Sequence, residues 1–248
     1  MEHSKDDFKD AYSNVLTHIG YQLTRAYTGM RCSPRFYVRI NETEQILELE
    51  KGLEHIVQDP RARIAFLSSH RHDMDIPLVY DVSKRLTGVF PRIIMKDTLP
   101  AQWLLRTFGG VPIMRQDDHA YWKKQLSEHE FTKKKRMQAI KMKQVMEYCS
   151  AKPLPFAIFP QGSRTNHGAS HKIEETIDSL TLVYNKMCTA KGGHVPVSLI
   201  NINYPGGIAK DYPNTDIDRA QVIVATPFVP KSKEELIERF FEHTTIRV

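Results

Sequence analysis

His70, Arg71, His72, Asp73 and Asp75 stand together directly after an apolar run, Ile64-Ala65-Phe66-Leu67. A buried strand that empties into a knot of ionisable groups is where α/β proteins usually keep their chemistry. His70 and Asp75 are five positions apart. On a helix that separation puts two side chains on different faces. A strand-turn-helix connection, in contrast, can bring Asp75 back onto the imidazole. A carboxylate bonded to one ring nitrogen fixes the tautomer and leaves the other nitrogen as a proton acceptor. Such a histidine can take the proton of a hydroxyl nucleophile. The plainer reading of the same pair is a histidine that caps a helix or bonds a backbone carbonyl.

Two other strand-like runs end in similar material. Val111-Pro112-Ile113-Met114 leads into Arg115, and Phe156-Ala157-Ile158-Phe159 opens onto Pro160-Gln161-Gly162-Ser163-Arg164-Thr165. A turn of small residues exposes backbone N–H groups, and arginine supplies a planar fork matched to phosphate. Either arginine could equally be a surface ion pair. In a parallel sheet the C-terminal ends of all three strands can share one edge, where ligands bind. His70, His72, Asp73 and Asp75 also allow a metal-dependent hydrolase as an alternative. Their spacing departs from the H-x-H-x-D-H pattern, with Met74 in place of the acid and Asp75 in place of the third histidine. Cys32, Cys149 and Cys188 have no motif beside them, and a cysteine nucleophile is the weaker reading.

Positioning these residues takes strands alternating with helices. Apolar spacing predicts a helix over 6–30, a strand over 35–40, a helix over 44–57 and the central strand over 63–68. A helix should start at Asp75-Ile76-Pro77, since proline is tolerated in a first turn, and run to about residue 86 before Gly88. Strands at 89–95 and 111–115 flank a helix at 99–108. A long charged helical region covers 120–150 and contains Lys133-Lys134-Lys135-Arg136. Then come a strand at 156–159, a helix at 172–189, strands at 195–202 and 222–229, and a closing helix at 231–243. The expected fold is α/β: a central mixed, largely parallel sheet flanked by helices, with an N-terminal amphipathic helix. Residues 1–32 form that helical segment and 33–248 the main domain.

The totals agree with one such domain. The chain has 248 residues, of which 41% are hydrophobic, enough for a sizeable core. Its 35 basic and 29 acidic side chains leave a formal charge of +6, which favours anionic partners without selecting one. Three cysteines at long spacings predict reduced thiols in the cytoplasm. The polar start, Met1-Glu2-His3-Ser4-Lys5, does not read as a secretory signal. No apolar run approaches the ~20 residues of a membrane span, so membrane contact would be peripheral, on the inner face. The first helix is one candidate for that contact. The basic helix is another, for acidic headgroups or an acidic carrier protein.

Taken together, the motifs resemble the glycerophospholipid acyltransferase superfamily, which includes glycerol-3-phosphate and 1-acylglycerol-3-phosphate acyltransferases. That family carries H-x-x-x-x-D, here His70 to Asp75. Its second block ends in a basic residue, here Gly109-Gly110-Val111-Pro112-Ile113-Met114-Arg115. Its third is like F-P-E-G-T-R-S, here Phe159-Pro160-Gln161-Gly162-Ser163-Arg164-Thr165. Its fourth is a strand with a proline, here Val195-Pro196-Val197-Ser198-Leu199-Ile200. The resemblance implies that His70 is the general base and Asp75 its orienting partner. Arg115, Gly162, Ser163 and Arg164 would hold an acceptor phosphate, Arg71 would be a further anion contact, and Pro196 would shape the acyl or acceptor pocket. Acyl-CoA or acyl carrier protein would be the donor, and a glycerol phosphate or lysophosphatidate the acceptor. No metal, cofactor or nucleic acid is implied. Gln161 departs from the family's Glu, so a carboxylate contact is missing there, and Thr165 replaces Ser. A non-catalytic lipid-binding protein of the same fold is the alternative outside enzymes.

Overall fold

A computed structural model of the protein describes residues 15–40, 45–56, 64–72, 74–97, 109–114, 118–151, 154–161, 173–188, 195–204 and 219–244. Helix α1 (Val15–Cys32) leads to strand β1 (Pro34–Arg39), strand β2 (Ile46–Glu48) and one helical turn, α2 (Leu53–Ile56). Strand β3 (Ala65–Ser68) feeds helix α3 (Asp75–Thr87), and strands β4 (Arg92–Lys96) and β5 (Gly110–Ile113) follow. Helices α4 (His119–Gln125) and α5 (Glu128–Ala151) precede strand β6 (Phe156–Ile158). Helix α6 (Ile173–Val183) continues into a π-helical turn (Tyr184–Cys188). Strands β7 (Val197–Asn203) and β8 (Ala220–Ala225) and helix α7 (Lys233–Thr244) complete the described elements.

The strands form one eight-stranded mixed sheet in the order β2-β1-β8-β7-β3-β6-β4-β5. Strands β7, β3, β6, β4 and β5 all run parallel, so their C-terminal ends share one edge. Antiparallel pairing occurs at β1–β2 and β7–β8. The fold is therefore the expected α/β sheet, largely parallel and covered by helices.

Alternation along the strands divides the core. Phe66 of β3 faces the layer of α3, together with Leu78, Val82, Val38 and Val222. Its neighbours Ala65 and Leu67 face the opposite layer, with Val145 and Met146 of α5, Leu180 of α6 and Phe240 of α7. A strand buried on both faces reads as a continuous apolar run, which is why 64–67 carries no polar residue.

Three expectations need correction. The helix expected over 44–57 is strand β2 followed by a single turn, α2. Ile46–Glu48 pairs antiparallel with Tyr37–Arg39, and the chain then turns through Gly52, whose N–H bonds the Glu48 and Leu49 carbonyls. A Cβ at Gly52 would meet Val38 Cγ1 at 2.1 Å, so the turn packs directly on β1. Helix α1 passes its expected stop at Gly29 and ends at Cys32, where Ser33 takes a positive φ of 35°. Residues 6–14 lie outside the described residues, as does the helix expected at 99–108. The late strand is Ala220–Ala225, and Phe228 keeps only a bridge to Val197. Gly88 does close α3 as expected, with φ 71° and its N–H on the Lys84 carbonyl.

Helix α1 packs on α3 with an unusual division of its surface. Tyr21, Thr28 and Cys32 point inward, while Ile19, Leu23, Tyr27 and Met30 stand 48, 66, 52 and 79% exposed. Among the described residues no helix is long and apolar enough to cross a membrane.

Helix α7 carries a titrating group in the core. His243 is buried, and its Nε2–H donates to the Ile223 carbonyl at 3.2 Å. Burial, with the Arg39 guanidinium adding to it, pushes this imidazole down from 6.5 to about 4. The folded state thus holds a neutral imidazole that the unfolded chain protonates below pH 6.5. Its contribution is complete above that pH and is lost as pH falls through about 4, a change of about 3 kcal/mol. Urea unfolding at pH 7 and pH 4.5 should show this loss in the wild type and a smaller one in His243→Gln. Equal losses in both proteins would remove His243 from the acid sensitivity.

Candidate active site

Strand β3 ends at Ser68, and the chain crosses the shared edge of the sheet before α3 begins at Asp75. Ser69 N–H stays on the Ile200 carbonyl of β7, so the turn starts from a fixed point. The turn then folds back on itself around one carboxylate. Asp75 is fully buried, and its Oδ2 accepts from His70 Nδ1 (3.1 Å), Arg71 N–H (2.5 Å) and His72 N–H (2.7 Å). Its Oδ1 accepts the Tyr204 hydroxyl at 2.5 Å. These donors replace the hydration that burial takes from the carboxylate. The position at the N-terminal end of α3 adds the favourable end of the helix dipole.

This arrangement fixes the histidine. An ionised carboxylate only accepts, so Nδ1 carries the proton and Nε2 holds the lone pair. Phe159, at the end of β6, lies against the ring with centroids 4.6 Å apart. The His70 side chain is 13% exposed, and its Nε2 makes no hydrogen bond to a described residue. His70 is therefore a partly open imidazole with its basic nitrogen unpaired and its other nitrogen anchored. The pairing expected from the H-x-x-x-x-D spacing is present, and the strand-turn-helix connection makes it.

Sequence reasoning missed two residues. Gln161, next to the end of β6, accepts the His70 backbone N–H on Oε1 at 2.7 Å. Its departure from glutamate was legible only as a lost charge. The amide oxygen holds the His70 backbone without placing a second negative charge beside the imidazole. Tyr204 lies one residue past β7 and belongs to none of the motifs. The signal available was a tyrosine just after a long apolar strand, which by itself points nowhere.

The other expected site residues divide. Strands β5 and β6 do end on the same edge as β3. Arg115, Gly162, Ser163 and Arg164 themselves lie outside the described residues. Arg71, the further anion contact that the resemblance implies, is turned into the core, and its Nη1 has no hydrogen-bond partner among the described residues. It is buried, Nη2 donates to the Thr244 carbonyl at the end of α7 (2.8 Å), and burial lowers its pKa. A guanidinium at a helix C-terminus is favourably placed against the dipole. Pro196 also departs. Its carbonyl accepts the Ala65 N–H at the start of β3, so it sits at the opposite edge of the sheet. Ala65 is five residues before His70, at the start of β3 and up to roughly 16 Å away along an extended chain. Pro196 stands at the entry to β7, at the end of the sheet away from His70.

Of the residues of the metal alternative, His70 leaves Nε2 open, whereas two others make bonds within the turn. His72 is buried, and its Nδ1 accepts the Met74 N–H at 3.1 Å. Both oxygens of Asp75 are taken by the donors above, and Asp73 lies outside the described residues. The thiols fit the structural reading: Cys32 and Cys149 are buried and unpaired, and burial pushes them up to about 11 and about 12. The Cys188 side chain lies outside the described part.

A second group of charges marks the same edge. Asp97 follows β4, is 6% exposed, accepts the Trp122 Nε1–H (3.0 Å) and pairs with Lys134 Nζ (2.9 Å). Lys134 also lies 3.8 Å from the centre of the Trp122 ring. One member of the basic run on α5 is thus an anchor for the helix. Lys133, Lys135 and Arg136 remain exposed.

The fold and this edge define an α/β protein with a buried-carboxylate, open-imidazole pair at the C-terminal end of a parallel strand. No protein-family model matches the chain, and no curated protein matches it.

Proposed function

We propose that the protein is an O-acyltransferase of the glycerophospholipid type, moving a fatty acyl group from a thioester to a hydroxyl of a phosphorylated glycerol. The observation that carries this reading is His70: Nδ1–H held by a buried carboxylate, Nε2 unpaired and partly open. A hydroxyl gives up its proton to a base at hydrogen-bond distance, and an imidazole anchored through Nδ1 offers Nε2 for that purpose. In the reaction Nε2 takes the acceptor hydroxyl proton as its oxygen attacks the thioester carbonyl. The C–O bond forms, the C–S bond breaks, and the imidazolium returns the proton to the departing thiolate. Asp75 stabilises the imidazolium throughout. Arg115 and Gly162-Ser163-Arg164 follow β5 and β6 in sequence, and both strands end on the same edge of the sheet as β3, which suits these residues to an acceptor phosphate.

The donor is acyl-CoA or acyl carrier protein. The acceptor is glycerol phosphate or a lysophosphatidate. The experiment is a panel of these donors and acceptors, with ester products identified by mass. The expected result is one phosphorylated glycerol acylated in step with thiol release. Thiol release that ignores every acceptor would point instead to thioester hydrolysis and defeat the proposal.

The reading also places the protein on the cytoplasmic face of an anionic bilayer, through α1. The exposed stripe Ile19, Leu23, Tyr27 and Met30 lies opposite the packed face, and the helix holds Arg25 and Arg31 with no acidic residue. Apolar area flanked by cations suits anionic headgroups over a second copy of the same positive helix. Sedimentation with phosphatidylglycerol-containing vesicles should capture the wild type, and Leu23→Asp/Met30→Asp should reduce capture by ~10-fold or more. Equal capture of both proteins would exclude α1 as the contact.

A further inference from the structure

We infer that Tyr204 is a positioning residue that sets the basicity of His70 by sharing the Asp75 carboxylate with it. The inference rests on the reading of His70 as the base. It goes further in assigning a tuning element outside all four sequence blocks.

Asp75 has one negative charge and four donors on it. Two are backbone N–H groups of the turn and come with its fold. Only His70 and Tyr204 reach it through side chains among the described residues. The Tyr204 hydroxyl is on Oδ1 while the imidazole is on Oδ2, so the two compete for the same delocalised charge. A hydroxyl donating to a carboxylate at 2.5 Å is a charge-assisted bond and one of the stronger kinds. Every increment of charge drawn to Oδ1 weakens the pull of Oδ2 on the imidazolium. The phenol keeps this role at all working pH values. Burial, reinforced by the Asp75 charge, holds it well above its ordinary pKa, so it remains a donor. The bond also fixes the carboxylate's rotation, which keeps Oδ2 aimed at Nδ1.

The surrounding groups bear on the size of the effect. From the turn, the buried Arg71 guanidinium faces Asp75 and Tyr204. His72 stacks obliquely on the Tyr204 ring with centroids 5.7 Å apart. From α1, the Cys32 thiol lies near both Asp75 and Tyr204 and stays protonated. From β6, Phe159 and the neutral Gln161 meet His70. The Tyr204 hydroxyl is the side-chain donor among them that can be removed without changing net charge or volume appreciably.

The test is the His70 imidazole titration, followed by NMR in the wild type and in Tyr204→Phe and assigned by the signal lost in His70→Ala. Losing the hydroxyl should move the His70 titration to higher pH by about 0.5–1 unit, the equivalent of one net hydrogen bond. Site-specific 3,5-difluorotyrosine at 204, a stronger donor, should move it the other way. Where transfer is measured, the acidic limb of kcat/KM should move with the titration, while KM for the acceptor stays put. A titration unchanged in both variants would overturn the inference. Because the NMR reading needs no turnover, it stands or falls apart from the acyltransferase proposal.

Discussion

His70→Ala should lower acyl transfer by about 10²–10⁴-fold, the range a positioned general base contributes. The fold should survive, because little depends on the imidazole beyond its bond to Asp75. Its ring is partly open and touches Phe159, and its backbone N–H on Gln161 remains. Asp75 keeps three donors when the imidazole is gone. KM for the acceptor should change little, since the loss is in the transition state. Steady-state transfer and far-UV circular dichroism on the same preparations check this. An unfolded variant would show that the histidine is structural.

Asp75→Ala should be the more damaging change to the molecule. It leaves the Arg71 and His72 N–H groups and the Tyr204 hydroxyl buried with no acceptor at the start of α3. Removing the ionised partner from such a cluster costs about 3–5 kcal/mol. For a chain of this size that is a fall in Tm of about 10 °C. Transfer should fall as well, because His70 loses both its tautomer lock and the charge that stabilises imidazolium. Asp75→Asn separates the two effects. The amide oxygen can still accept some of these bonds, so stability should drop less than in the alanine variant, while transfer stays low. An Asp75→Ala protein that unfolds at the wild-type temperature would mean the network carries no stability.

Much of this site was written in the residue order, for a physical reason. An apolar run long enough for a buried strand, followed within eight residues by a histidine and an acid ahead of Ile76-Pro77, points to strand, turn and helix start. The pairing of His70 and Asp75 follows from that connection alone. Partners that arrive from distant strands were not legible. Tyr204 is 129 positions from Asp75 and Gln161 is 91 from His70. Only the sheet order, with β3 between β7 and β6, brings them in. The register of β3 on β7 likewise sets Pro196 at the far end of the strand from His70, since a proline in a strand says nothing about which end meets the site. Arg71 reads as an anion contact only through the family resemblance, as the residue after His70. Its side chain instead reaches α7, 173 residues on. The misread helix at 44–57 shows the limit of periodicity. Ile46, Leu47, Leu49, Leu53 and Ile56 fit a helical stripe, but the hairpin to β1 and the close approach of Gly52 to Val38 take the segment apart.

The most direct measurement is the pH dependence of kcat/KM for acceptor-dependent acyl transfer, in the wild type and His70→Ala side by side. The account predicts a wild-type rate that falls tenfold per pH unit on the acid side, as one group is protonated. It predicts a residual rate in His70→Ala that lacks this limb. A wild-type profile flat across pH 5–9, or the same acid limb in both proteins, would contradict His70 as the base.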